Sequence, residues 1–150
     1  MKTGKRAHRT LTPARQIAGF IARFDPLIAR LIKTTRAAIR RRFPTAIELV
    51  YDNYNALAFG FCTTERASDC IVAVAAFARG VSLSFYWGAT LPDPERLLEG
   101  SGRQNRFLGV TTPAVLRLPA VAALLEAAAA QARIPLARTG RGRTIIQSIS

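Results

Sequence analysis

The chain has 150 residues, 49% of them apolar, enough for one domain whose core buries about 70% of the unfolded surface. Charges or prolines interrupt every apolar run before the ~18 residues of a membrane span, and Arg15 and Arg23 stand where a secretory leader would be uncharged. The expected location is therefore cytoplasmic, with no membrane partner, and the net charge of +13 is divided between two basic ends and a mildly acidic middle.

Residues 1–11 carry Lys2, Lys5, Arg6 and Arg9 without apolar periodicity and read as a flexible basic arm. Thr12-Pro13 then supplies a capping hydroxyl and a proline at the first helical position, followed by Ile17, Phe20, Ile21 and Phe24 at helical spacing. Asp25-Pro26 repeats the signal and opens a second helix to about Arg41, with Ile28, Leu31, Ile32, Thr35 and Ile39 on one side. Arg30, Lys33, Arg36 and Arg40 lie away from that stripe, as a solvated face or a basic ridge for an anionic partner.

Four strands follow. Ile47, Leu49 and Tyr51 alternate with Glu48, Val50 and Asp52, and Leu57, Phe59 and Phe61 alternate with Ala56, Ala58 and Gly60. Cys70 to Phe77 is apolar on both faces, as a central strand is; Val81, Leu83, Phe85 and Trp87 alternate with Ser82, Ser84 and Tyr86. Asp93-Pro94 reads as a third helix start, ending near Gly100, and Arg106–Val110 as a fifth strand. Pro119 starts an Ala-rich helix with Val121, Leu124, Leu125 and Ala128 inward. In the basic tail 135–150, Arg138–Arg143 reads as a flexible linker, and Ile145, Ile146 and Ile149 could add a strand or dock on a neighbour. The order α-α-β-β-β-β-α-β-α predicts one α+β domain over residues 12–134, in two layers: an antiparallel sheet of about five strands, joined as a meander, with helices covering one face.

Tyr51-Asp-Asn-Tyr-Asn-Ala-Leu57, Thr64-Glu-Arg66 with Ser68-Asp69, Leu91-Pro-Asp-Pro94, Gly100-Ser-Gly-Arg103 and Pro119-Ala-Val121 occur in this order, and over roughly residues 14–130 the chain resembles the YdhG-like domains. The resemblance implies a two-layer α+β fold in small cytoplasmic bacterial proteins mostly without assigned function. A frataxin-like iron-chaperone role has been attached to a member. That family commonly has Gly at the place of Asn53, Lys at that of Arg103 and a His near Phe107, so no metal or catalytic role is carried over.

Candidate ligand-binding residues are Tyr51, Asp52, Tyr54 and Asn55 at the first hairpin's end, with Trp87 and Arg103. Tyr hydroxyls, a carboxylate and an amide together can orient a ligand; the same residues also suit a structural turn, Asp and Asn bonding its amides. Gly100-Ser-Gly-Arg103 frees backbone amides toward an anion that Arg103 could grip, or serves as a helix stop and turn. Trp87 could stack on a base or sugar, although its inward position favours the core. Ala56, Ala58 and Gly60 form a small face open to close approach by a helix, a ligand or another subunit.

The only histidine is His8, which removes histidine-based zinc sites and a Ser-His-Asp triad. Cys62 and Cys70 could face each other across a hairpin and are expected as thiols. Glu48, Asp52, Glu65 and Asp69 are the carboxylates available to a hard cation, which the positive charge repels at long range, so no metal or cofactor is expected. Polar density without a complete catalytic set predicts a non-enzymatic ligand-binding or chaperone-like module, for a small anion or a protein partner. The alternatives are a nucleic-acid-associated protein using the basic ridge and ends, an enzyme with Asp52 as base and Arg103 as anion clamp, and the frataxin-like iron chaperone.

Overall fold

The computed structural model describes residues 11–53 and 55–149, the side chain of Ile149 excepted. The basic arm, apart from Leu11, and Tyr54 lie outside the described residues. Both N-terminal helices begin where the sequence stops the chain from being anything else. Thr12 accepts from the Arg15 amide and Asp25 from the Leu27 amide, each followed by a proline that has no N–H to satisfy. Helix α1 (Pro13–Ala22) buries Ile17, Phe20 and Ile21; α2 (Pro26–Arg42) buries Ile32, Thr35 and Ile39 and ends on Arg40, Arg41 and Arg42, whose charges suit a helix C-terminus.

Strands β1 (Ile47–Asn53), β2 (Ala56–Cys62), β3 (Cys70–Phe77), β4 (Gly80–Phe85) and β5 (Arg106–Val110) form an antiparallel meander. The sheet order is β5-β4-β3-β2-β1-β6, with β6 (Thr144–Ile149) parallel to β1. All helices, including α3 (Pro119–Ala130), pack on one face, over Val50, Leu57, Phe59, Phe61, Val74 and Leu83. The fold is therefore α+β with helices on one side, as the alternation predicts. On the other face Leu49, Cys62 and Cys70 form a small cluster beside Tyr51 and Ile145. The two cysteines are opposite each other in register and are free thiols. A hydrogen bond with Cys62, and then burial, push the Cys70 thiol well above its ordinary pKa.

Two elements differ from expectation. Residues 91–100 contain no helix: the Asp93 carboxylate accepts from the amides of Leu97 (2.9 Å) and Leu98 (2.8 Å), taking donors that a helix would direct at carbonyls. Arg96 adopts a positive φ of 53° and Gly100 one of 121°, turning the chain so that Glu99 bridges Phe107. The sheet also has a sixth strand, and it is mixed. Arg138–Arg143 is not a free linker throughout, because Gly142 donates to the Pro44 carbonyl (2.9 Å) and Glu48 to that of Arg143 (2.9 Å), steering β6 onto the open edge of β1.

Candidate functional site

Among the described residues, those singled out at the first hairpin do not gather into one pocket. Tyr51 points to the face without helices, where burial, then Cys62 and Cys70, raise its phenol pKa. Asp52 points the other way, is only 1% exposed, and is paired with Arg23 of the α1 C-cap; its Oδ2 has no hydrogen-bond partner among the described residues. Asn53 and Asn55 are exposed beside Arg23, Asp25, Phe77 and Arg79, and Tyr54 lies outside the described residues.

Arg103 and Trp87 are at the other end of the sheet. That end is roughly 17 Å away along β4, at about 3.3 Å for each of the five steps from Gly80 to Phe85. Arg103 is exposed, and Arg106, not Arg103, secures its loop by donating to the Gly102 and Asn105 carbonyls. Trp87 is not core. Strand β4 ends at Phe85, a short 3-10 turn (Gly88–Thr90) follows, and the indole is left 46% exposed beside a separate cavity.

The four carboxylates available to a cation are each committed to an arginine: Glu48 to Arg36, Asp52 to Arg23, Glu65 to Arg143 and Asp69 to Arg133. Among the described residues no three His, Cys, Asp or Glu side chains gather as a metal set.

What does converge is the basic ridge of α2. Glu48 sits on the helix-covered face of β1 with 1% exposure, beside Val50 and opposite Phe61, and a carboxylate there requires a cation. Arg36 supplies it through two parallel bonds, Nε to Oε2 (2.7 Å) and Nη2 to Oε1 (2.9 Å), and the Thr144 hydroxyl adds a third at 2.7 Å. Arg36 lies over the Phe59 ring and Arg40, one turn on, over Phe61. Arg40 also donates to the carbonyls of Phe43, Pro44 and Ala46. Burial lowers the Arg40 pKa, Glu48 opposes the shift, and the Arg36 and Arg141 charges add to it.

These two arginines are the floor of a groove of about 700 Å³ between α2 and the start of β6, rimmed by Lys33, Arg41 and Arg141. Among the described residues five cations thus line it against the single carboxylate Glu48. On the opposite flank of α2 a second groove of about 470 Å³ contains Arg41, Arg42 and Arg117 and no acidic side chain. So Arg36 and Arg40, although on the polar side of the helix, face the sheet edge and are largely covered. The signal in the sequence was Glu48 itself, an acid on a strand face whose neighbours Val50, Phe59 and Phe61 are apolar. Arg141 had no such signal, since only the docking of β6 brings it there. Compared with known families, with curated proteins and with solved structures, the chain finds no match.

Proposed function

We propose that the protein binds a polyanion, nucleic acid above all, through the grooves that flank the C-terminal half of α2. The observation that carries this reading is the convergence of Lys33, Arg36, Arg40, Arg41 and Arg141 around one carboxylate. Arg36 and Arg40 are already ordered by Glu48, by backbone carbonyls and by aromatic rings, so little side-chain freedom remains to be lost when a phosphate arrives. Lys33, Arg41 and Arg141 make no ion pair among the described residues and stay available at the rim. The hairpin reading has less support, because Asp52 is taken by Arg23 and Arg103 is distant.

Cations that neutralise phosphates release counterions, so affinity for a labelled oligonucleotide falls steeply between about 50 and 200 mM salt. Lys33→Gln and Arg141→Gln each weaken binding regardless of base sequence and reduce the salt slope by about 1. Anisotropy titrations measure both. No binding at ~50 mM salt, where such contacts are strongest, overturns the reading.

A further inference from the structure

We infer that the polyanion is single-stranded nucleic acid, and that Trp87 is the platform on which one of its bases stacks; this rests on the groove reading above. Trp87 is the chain's only tryptophan and among its most exposed large apolar side chains. It is nonetheless held firmly. Its indole N–H donates to the Ser68 carbonyl (3.0 Å), Tyr86 meets it edge-on with ring centroids 5.2 Å apart, and its own carbonyl accepts from the Gln131 amide and the Thr90 hydroxyl (3.0 Å each). A wet, immobilised aromatic contributes little to a core. It has already lost the freedom that stacking would otherwise remove.

The ring lines a cavity of about 350 Å³ whose other walls are largely apolar (Ile71, Phe85, Ala128), with Arg133 among its lining residues. This size is within the range of ligand pockets and admits a planar base. Arg133 is mostly exposed and bonds Asp69 at 3.2 Å with a single nitrogen, which leaves other guanidinium donors for a phosphate.

The cavity shares no lining residue with either basic groove but lies within one turn of α3 from the second. Arg41 belongs to both grooves; Leu125 of α3 lines the second groove, and Ala128, about 4.5 Å further along the helix, lines the Trp87 cavity. Across the sheet, β1 and β4 are three strand spacings apart, about 14 Å, and helices cover the face between them, so a single strand joining the two sites runs over the helices and needs more than the roughly four stacked nucleotides that span about 14 Å. A duplex keeps its bases paired and stacked inside, so it can use the cations but not the ring.

The single tryptophan makes the test direct. At ~50 mM salt the protein is titrated with a 16-nucleotide oligo-dT, a duplex of the same length and inorganic polyphosphate, following Trp87 fluorescence and competition against labelled oligo-dT. All three compete, but only oligo-dT quenches Trp87. Trp87→Ala loses about ten-fold in affinity for oligo-dT and keeps its affinity for polyphosphate, while Trp87→Phe, which retains a stacking face and guards against misfolding of the alanine variant, loses less than about three-fold. Unchanged fluorescence with oligo-dT, or equal oligo-dT affinity in Trp87→Ala, overturns the stacking inference and leaves the groove standing. Absence of binding by all three, polyphosphate included, removes the groove as well.

Discussion

Glu48 has opposite consequences for stability and for binding, which makes it the most informative residue in the chain. Buried at 1% exposure, it is tolerable only because Arg36 meets it bidentately and Thr144 fills a further lone pair. Arg36→Met leaves that charge with Thr144 and with Arg40 at 4.0 Å, and costs about 3 kcal/mol, the lower end for a broken buried pair. Glu48→Gln costs less, about 1–2 kcal/mol, because the amide still accepts hydrogen bonds and Arg36, with 28% of its side chain exposed, can hydrate. The same change removes the only carboxylate that lines the groove among the described residues. Glu48→Gln is therefore expected to unfold at lower urea and yet bind oligonucleotide more tightly than the unsubstituted protein. Equal or weaker binding would mean that the floor arginines need the carboxylate to hold their position. Urea midpoints and anisotropy titrations on one preparation separate the two effects.

At the scale of elements, what could be read from the sequence follows period and capping. Thr12-Pro13 and Asp25-Pro26 start helices because apolar residues at steps of three and four follow them. Asp93-Pro94 carries the same dipeptide, but there the carboxylate takes two amides itself and Arg96 turns left-handed, so a turn forms. Strand β6 is the harder case. Ile145 and Ile146 pack on opposite faces of the sheet, an ordinary strand pattern, yet nothing local to them says which edge they join. The choice is made at Gly142, where a Cβ would overlap the Ala46 carbonyl. Gly142→Ala is expected to displace residues 141–144, taking Arg141 from the groove and Thr144 from Glu48. Hydrogen exchange would then show faster exchange on the outer edge of β1, at Glu48 above all, and oligonucleotide affinity would fall by at least as much as in Arg141→Gln. Unchanged exchange at Glu48 would show that the strand finds its edge without this close approach.

For the whole molecule, the fold class is legible because alternation in β1, β2 and β4 around an apolar β3 dictates a one-sided sheet, whereas the groove is not, because its cations come from opposite ends of the chain. Charge is the property that both ends share. With four of the nine acids committed to arginines in the fold, much of the +13 has no internal partner, and self-repulsion opposes the compact state. Salt alone should then raise the melting temperature by screening that repulsion. Polyphosphate present at about 100 times its Kd stabilises the folded state by about 2.7 kcal/mol, or very roughly 5–10 °C for a chain of this length. That second gain depends on the same phosphate contacts that salt weakens, so it must shrink as salt rises. The two effects consequently run in opposite directions: melting temperature climbs with salt in the free protein, while the extra rise given by polyphosphate falls with salt until the curves meet. Thermal scans from ~50 to ~500 mM salt, with and without polyphosphate, test this. Parallel curves would mean that the charge is spread too thinly over the surface to act as a site.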